Sequence, residues 1–390
     1  MKNATCSLTG VSIQATLHPK PTGVRKTQTS FDGSPTVPVR RKIGLDVVRA
    51  VAISLVLLSH FVKSVDFLGV QGVELFFALS GFLIGGILNR MLLASPRWSF
   101  GEVRLFWARR WWRTLPNYYL FLGVFAVFHA CVGGLPNLAS FLPFLVFCQD
   151  PFGMRSSFFG VSWSLCIEEW FYLLFPVIIL FFTTLRCSKR NAFVCTTLLF
   201  LLFPPAVREW MFAANDPETV RLMTVCRLDA IFYGVATAFA TARFQVTANA
   251  RLALLAVAVV GLAALTGYQY HCFENGQFVA FYRAAFVLLP LFFSLTLPFF
   301  ESVETLPSSL AVLTGSITKL SLWSYSIYLS HIPILFGTYA VFGAWREHAA
   351  VNVLSKITGL AVCIGVSRLV YERFETKLMR LRPAEPSSHS

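Results

Sequence analysis

The sequence predicts an all-α polytopic membrane protein, a transmembrane helical bundle of about ten spans with both termini on the cytoplasmic side. Three observations indicate this fold class. Hydrophobic residues make up 56% of the 390 residues and charged residues only 13%, with a mean hydropathy of +0.64. Apolar runs long enough to span a bilayer recur along the chain, and clusters of Lys and Arg lie between them. This composition excludes an ordinary soluble enzyme.

The chain divides into a membrane domain between two polar tails. Residues 1–42 are predicted to form a disordered basic cytoplasmic tail, because they are rich in Ser, Thr, Pro and Lys and lack the apolar core of a signal peptide. Residues 43–375 form the membrane domain, and residues 376–390 form a polar cytoplasmic tail. The predicted spans cover about 45–65, 70–93, 115–131, 161–185, 192–210, 223–243, 252–270, 278–300, 320–342 and 351–370. The outer segment 133–160 has an apolar patch compatible with either a surface position or re-entry into the membrane.

Positive charge determines the predicted orientation. Alternating ten spans from an inside N-terminus places about 19 Lys and Arg on the inner side and about five on the outer side. The densest basic cluster, between Arg90 and Arg113, is then cytoplasmic. The net charge of +14 is therefore interpreted as membrane topology, and no nucleic-acid partner is expected. Nine scattered cysteines, mostly in apolar runs, indicate neither a disulfide framework nor a metal site.

The first span carries two polar side chains on one face. Arg49 and His60 are eleven positions apart, so they differ by about 20° around a helix and by roughly 16 Å along it. An Arg at membrane depth is costly and usually faces a bundle interior or a water-filled cavity, which favours a functional face. The alternative is that Arg49 extends to the interface and that His60 is a hydrogen-bonded packing residue.

Several carboxylates are predicted at the depth of His60. Glu74, Glu168 with Glu169, and Asp229 all lie a few residues below the outer ends of their spans. Agreement in depth among four spans favours a shared site over scattered core polar residues.

Two further side chains have open interpretations. Ser164 and Glu168 are four positions apart and therefore share a helix face, although a small residue such as Ser164 also suits helix packing. His331 is either a second functional imidazole or a packing histidine. Glycines 81, 85 and 86 are predicted to allow close helix approach rather than to take part in chemistry.

The inner end of the first span faces a predicted arginine cluster. Arg49 lies at the depth of Arg109, Arg110 and Arg113, and guanidinium groups bind phosphates through paired donors. A phosphorylated ligand arriving from the cytoplasm would suit this layer, whereas the alternative is that the arginines only anchor the inner face. The sequence contains no phosphate-binding loop, dinucleotide glycine pattern or metal-ligand spacing.

Taken together, the motifs resemble the acyltransferase 3 family of integral-membrane O-acyltransferases. They occur in the expected order between Ile43 and Glu375 and comprise GLDVVRAVAISLVLLSH with its Arg-x10-His, GVELFFALSGFLIGG, FWARRWWRTLPNYYL, WSLCIEEWFYLLFP with Ser-x3-Glu, RLDAIFYG, SYSIYLSHIP and YERFE. The sequence departs from the family pattern where Glu74 replaces the usual Asp and where Cys166 and Trp170 replace Ser and Gln. Family members often carry a C-terminal hydrolase-like domain, which is not expected here because the chain stops after the last span.

The resemblance implies transfer of an acyl group, most often acetyl, from cytoplasmic acyl-CoA to a hydroxyl of a surface glycan, lipid-linked sugar or similar acceptor. The implied donor-binding residues are Arg49, Arg109, Arg110 and Arg113, and the implied catalytic residues are His60, Glu168, Ser164 and Glu74. A buried His60 would be the general base, with Glu168 orienting it, helped by Ser164 or Glu74. Acyl-CoA would be the donor substrate, with no permanently bound cofactor.

The implied location is a multi-pass position in a bacterial inner membrane, in contact with membrane lipid. A transient acyl-histidine is a variant of the mechanism that the sequence leaves open. The alternative function is a proton-coupled transporter or exporter of a glycan or lipid precursor, because intramembrane His, Glu and Arg also serve proton relays. A third interpretation is a non-catalytic scaffold or sensor.

Overall fold

A computed structural model describes residues 41–132, 134, 137–151 and 158–383. The predicted tail 1–42 and the end of the chain lie largely outside these residues. The α-helices of the described chain are α1 Ile43–Phe61, α2 Leu68–Ala94, α3 Phe100–Val132, α4 Leu138–Leu145, α5 Trp163–Thr184, α6 Lys189–Met211, α7 Pro217–Leu222, α8 Asp229–Arg243, α9 Ala248–Glu274, α10 Phe278–Ser302, α11 Thr314–Phe342, α12 Ala349–Val370 and α13 Thr376–Met379. No strand occurs in this part of the chain.

The helical bundle confirms the predicted fold class. Within the described residues, nine helices are long and apolar enough to cross a membrane. The remaining predicted span, 320–342, coincides with α11, a helix of 29 residues that is not among the nine. Helix α11 buries several serines and a histidine, which is the composition expected of a helix that lines an internal site.

Helices α2 and α8 approach each other closely through glycines. A Cβ atom at Gly81 would lie 1.9 Å from the carbonyl oxygen of Ile231, and one at Gly234 would lie 2.0 Å from that of Ala78. Gly85 is also in close contact with α8, through Val235. The predicted role in helix approach therefore holds for Gly81 and Gly85. It does not hold for Gly86, where the nearest atom to an added Cβ belongs to an arginine side chain 3.6 Å away.

Arg49, in the first half of α1, and Arg382, near the end of the described chain, line one cavity and so lie on the same side of the bundle. Lys42, just before α1, forms an ion pair of 2.8 Å with Glu301 at the end of α10. The side chain of Arg109, near the beginning of α3, donates a hydrogen bond of 3.5 Å to the carbonyl of Pro383. We refer to this side as the inner side and to the side of His60, at the end of α1, as the outer side.

Part of the outer segment 133–160 packs beside the middle of α3. Two hydroxyls of α3 donate to carbonyls of α4: Tyr118 to Phe144 at 2.8 Å and Tyr119 to Leu145 at 2.7 Å. The indole of Trp170 in α5 donates to the carbonyl of Phe147 at 2.9 Å. The short helix α4 therefore lies alongside the bundle helices rather than beyond their ends. Residues 152–157 of this segment are outside the described part of the chain.

Candidate functional site

An inner cavity of about 280 Å³ is lined by arginines from three parts of the chain. Arg49 comes from α1, Arg110 and Arg113 come from α3, and Arg382 comes from the segment after α13. Glu168 is the one carboxylate among the described lining residues. The cavity therefore carries the positive charge and the planar donors that suit phosphate groups.

The guanidinium of Arg49 is positioned by α11 and by its own helix. It donates a hydrogen bond of 3.2 Å to the hydroxyl of Ser321, and this hydroxyl donates one of 2.7 Å to the carboxylate of Asp46. Asp46 is also 3.8 Å from the Arg49 guanidinium. The side chain of Arg49 is 19% exposed, so it is fixed on one side and open to the cavity on the other.

The predicted arginine cluster is only partly assembled around this cavity. Arg110 and Arg113 line the cavity, and Arg110 is almost completely buried. Arg109 is buried nearby but is not part of the cavity wall, because it faces the C-terminal segment at Pro383. Arg382 takes part in the wall instead, and its position far along the sequence hid it from motif analysis.

A larger outer cavity of about 1070 Å³ contains His60 and His331. The two imidazole rings lie with their centroids 4.8 Å apart and their planes at 71°. His60 comes from the end of α1 and His331 from the middle of α11, so the packing of these two helices brings the rings together.

Hydrogen bonds to the backbone fix the tautomer of both histidines. Nδ1 of His60 lies 2.8 Å from the carbonyl oxygen of Val56, and Nδ1 of His331 lies 2.7 Å from that of Tyr328. A carbonyl can only accept, so each Nδ1 carries the proton and each neutral ring has its lone pair on Nε2. The Nε2 atom of His331 is buried without a hydrogen-bond partner in the described chain.

The prediction that His60 is buried is wrong. Its side chain is exposed in the outer cavity, because His60 stands in the last turn of α1 where the bundle opens. The fully buried imidazole is that of His331, with 0% exposure. Both rings nevertheless line the same cavity.

The two cavities meet at Val73 and Tyr328, which line both of them. The hydroxyl of Tyr328 lies 2.6 Å from that of Ser164, which faces the inner cavity. Tyr328 also donates to the carbonyl of Val161 at 3.1 Å. Two hydroxyl groups are thus held at the boundary between the arginine side and the histidine side.

Glu168 lies on the inner side of this boundary. It shares the inner cavity with Ser164, as their spacing of four residues predicts. Its carboxylate accepts a hydrogen bond of 3.4 Å from Tyr172, whose hydroxyl lies 3.3 Å from that of Ser80. The described hydrogen bonds of His60 involve Val56 and Ser59, so the structure does not show Glu168 orienting the imidazole.

Glu74 and Asp229 are held by arginines away from both cavities. The guanidinium of Arg227 donates to Glu74, and that of Arg208 donates to both carboxylate oxygens of Asp229 at 3.0 Å. All four side chains are at most 2% exposed. The predicted common layer of carboxylates around His60 is therefore not found. A buried carboxylate requires a counter-charge. Arg208 lies in α6 and Arg227 lies just before α8, so the spacing within one helix cannot predict either pairing.

The outer cavity also contains a carboxylate, that of Asp150. It precedes the undescribed residues 152–157, lines the outer cavity and is 6% exposed. Burial raises the pKa of the Asp150 carboxyl from an ordinary value of 3.8 to about 7. Asp150 is not part of any of the sequence motifs. Its position just before the next span was the only available signal.

Tyr328 was missed although the sequence contained an indication of its position. In the stretch SYSIYLSHIP, Tyr325, Tyr328 and His331 follow one another at intervals of three, which places them along one side of a helix. The structure brings Tyr325 and Tyr328 to the inner cavity and His331 to the outer one.

Comparisons with known proteins agree with this architecture. O-acetyltransferase OatA of Staphylococcus aureus is 26% identical over 321 residues, covering 75% of this chain and 50% of the relative. Peptidoglycan O-acetyltransferase OatA of Listeria monocytogenes is 32% identical over 216 residues, covering 50% and 33%. Putative peptidoglycan O-acetyltransferase YrhL of Bacillus subtilis is 27% identical over 318 residues, covering 75% and 48%. The chain thus spans about half or less of the length of these relatives.

No solved structure matches the chain. The model of the acyltransferase 3 family, described as an acyltransferase domain, matches residues 42–372. This range contains the inner-cavity residues of α1 and α3, both histidines and the boundary between the cavities. Since the match covers most of the sequence, the chain belongs to the acyltransferase 3 family, and it is a multi-pass membrane protein.

Proposed function

We propose that this protein transfers an acetyl group from acetyl-CoA, bound from the cytoplasm, to a hydroxyl of a carbohydrate on the other side of a bacterial inner membrane. The observation that carries the proposal is the pair of cavities. One is lined by arginines, the other by histidines, and they meet at Val73 and Tyr328. A donor and an acceptor could therefore approach the same boundary from opposite sides.

The inner cavity provides the donor site in this proposal. Arg49, Arg110, Arg113 and Arg382 would bind the phosphates of CoA, because guanidinium groups pair with phosphate oxygens. The positive-inside rule assigns this end of the bundle to the cytoplasm, where acetyl-CoA is available. The pantetheine arm would then extend toward Ser164 and Tyr328, placing the thioester at the boundary.

The outer cavity provides the general base. Nε2 of His60 accepts the proton of the acceptor hydroxyl while the hydroxyl oxygen bonds to the thioester carbonyl carbon. The carbon–sulfur bond then breaks, and the proton passes to the CoA thiolate, giving the O-acetyl product and CoA with a free thiol. The hydroxyl of Tyr328 lies 2.6 Å from that of Ser164 and donates its one proton to the carbonyl of Val161. In the reaction this proton would turn to the thioester carbonyl oxygen and stabilise the negative charge that forms there.

The relatives support an acetyl group and a carbohydrate acceptor. Two of them are named for O-acetylation of peptidoglycan, one of these putatively, and the third is named an O-acetyltransferase. The size of the outer cavity, about 1070 Å³, suits a large second substrate better than a proton or a small ion.

The test is release of free thiol from acetyl-CoA by purified protein in detergent, with an oligosaccharide acceptor. We expect His60→Ala to lower kcat by at least about 100-fold with little effect on the Kd of acetyl-CoA. We expect Arg110→Ala to weaken acetyl-CoA binding by about tenfold or more, because a buried charged donor to phosphate is lost.

Matched controls are available for both residue types. Arg104 is exposed on the same helix as Arg110, and His271 is exposed at the end of α9. Arg104→Ala and His271→Ala should leave donor binding and thiol release unchanged. If the wild-type protein neither binds acetyl-CoA nor releases thiol, the proposal is wrong and proton-driven transport becomes the function to examine.

A further inference from the structure

The outer cavity contains buried polar groups that have no protein partner in the described chain. His331 is fully buried, lines the cavity and has an unpartnered Nε2. The carboxylate of Asp150 also lines the cavity, and no hydrogen bond or ion pair to it is seen among the described residues, although Asp150 is only 6% exposed. Leaving such groups unpaired costs free energy, which a bound ligand with hydroxyl groups would recover.

The charge of the described cavity wall indicates which ligands suit it. The described wall carries three carboxylates, those of Asp66, Asp150 and Glu218, and one guanidinium, that of Arg221. The imidazoles of His60, His129 and His331 also lie in this wall. Arg221 is already bonded to Glu218 at 2.8 Å and lies 4.7 Å over the ring of Trp163. Asp66 and Asp150 therefore leave the described wall acidic, in contrast to the arginine-rich inner cavity. An anionic ligand would be repelled here.

The uncharged part of the wall suits a sugar. Two amide side chains, Gln71 and Gln269, line the same cavity, together with aromatic residues that include Phe128, Phe273 and Tyr282. Amides and carboxylates form hydrogen bonds with hydroxyl groups, while the apolar face of a sugar ring packs on aromatic rings. The volume of about 1070 Å³ is at the upper end of small-molecule sites, so it can hold several sugar rings.

We propose that the outer cavity is an acceptor site selective for uncharged saccharides, in which the carboxylate of Asp150 binds sugar hydroxyls and, with Asp66, disfavours anionic sugars. This inference rests on the proposed function for the identity of the second substrate, and it adds the charge class of that substrate and the residues that determine it. The relatives' names do not specify either.

The test measures equilibrium binding of two oligosaccharides to the purified full chain in detergent, by microscale thermophoresis at about pH 8, where Asp150 is ionised. Chitotetraose is the uncharged probe and tetragalacturonate is the anionic probe. We expect the wild-type protein to bind chitotetraose at least about tenfold more tightly. Asp150→Asn keeps the size of the side chain and should weaken chitotetraose binding by about tenfold. The double variant Asp66→Asn with Asp150→Asn should show a smaller difference in affinity between chitotetraose and tetragalacturonate.

Glu274→Gln is the matched control. Glu274 is an exposed carboxylate at the end of α9 that is not part of the cavity wall, so its loss should change neither affinity. Equal binding of the two probes, no binding of chitotetraose, or a preference that persists in the double variant would each overturn the inference.

The same samples separate this inference from the proposed function. Acetyl-CoA binding is measured in parallel, because it depends on the inner cavity. If the protein binds acetyl-CoA but does not distinguish the two oligosaccharides, only the inference about the acceptor is wrong. If the protein binds chitotetraose selectively but does not bind acetyl-CoA, the saccharide site is supported and acetyl-CoA is excluded as the donor.

Discussion

His331 is the residue whose position argues most directly for a second imidazole in the chemistry. Its ring lies 4.8 Å from that of His60, and its Nε2 is buried without a partner in the described chain. When His60 accepts a proton, the neighbouring lone pair of His331 would stabilise the resulting cation. We therefore assign His331 a positioning role: it acts through His60.

We expect His331→Ala to lower kcat for acetyl transfer by about 10-fold to 100-fold while the Kd of acetyl-CoA stays within about threefold. The decisive measurement is the pH–rate profile of kcat, which should change shape in His331→Ala and keep its shape in His271→Ala. A purely structural role would reduce the folded fraction without altering the profile. An unchanged profile at normal kcat would exclude the positioning role.

The neighbours of Glu74 indicate a role in the stability of the protein rather than in its chemistry. Its partner Arg227 also donates to the carbonyl of Phe286 at 3.3 Å and lies 4.1 Å over the ring of that residue. The sequence suggested a catalytic carboxylate, whereas the structure surrounds Glu74 with protein and leaves it outside both cavities.

Breaking this pair should destabilise the protein without specifically impairing catalysis. We expect Glu74→Gln to cost about 3 kcal/mol or more in the free energy of unfolding, because it removes the carboxylate that is paired with a fully buried guanidinium. The double variant Glu74→Gln with Arg227→Gln should recover part of that loss. Thermal unfolding followed by tryptophan fluorescence measures the stability, and kcat per folded molecule measures catalysis.

The exposed ion pair between Arg368 and Glu372 is the control, with side chains 61% and 46% exposed. Glu372→Gln should change stability by less than about 1 kcal/mol. A hundredfold loss of kcat in Glu74→Gln at wild-type stability would contradict the structural role and return Glu74 to the catalytic group.

At the scale of helices, the approach of α2 to α8 depends on the absence of side chains at their contact. An added Cβ at Gly81 would lie 1.9 Å from the carbonyl oxygen of Ile231, so Gly81→Ala must separate the two helices. We expect a loss of about 1–3 kcal/mol or more in stability, as in other overpacked interiors. The measurement is the thermal unfolding midpoint in detergent.

Gly86 on the same helix is the matched control for this prediction. An added Cβ there would be 3.6 Å from the nearest atom, so Gly86→Ala should be neutral or slightly stabilising, since alanine favours helix. If Gly81→Ala and Gly86→Ala unfold at the same temperature, the close packing of α2 on α8 is not a determinant of stability.

Across the bundle, the features that could be predicted from the sequence are those that depend on periodicity within one helix. The spacing of Arg49 and His60 placed them at opposite ends of one face, and the structure assigns them to the inner and outer cavities. Features that depend on packing between distant helices were not predictable. Glu74 and Arg227 are 153 positions apart, and Arg382 reaches the inner cavity from the end of the described chain. A single sequence contains no signal for such pairings.

In the proposed mechanism, the acetyl group passes between the two cavities at Val73 and Tyr328. Val73 is only 8% exposed and lines both cavities together with Tyr328. A larger side chain at this position should close the boundary while leaving each cavity open to its own substrate. Val70 lies one turn earlier on α2 and lines only the outer cavity, so it offers a control of the same residue type.

We expect Val73→Phe to lower acetyl transfer by at least about 100-fold, while the Kd values for acetyl-CoA and chitotetraose stay within about threefold of wild type. Val70→Phe should retain transfer, and Val73→Ala should retain it as well because it widens the boundary. The three variants are compared by thiol release and by binding of each substrate, at matched folded fractions. Transfer at the wild-type rate by Val73→Phe would show that the acetyl group does not pass between Val73 and Tyr328. In that case the two cavities would have to be treated as separate sites.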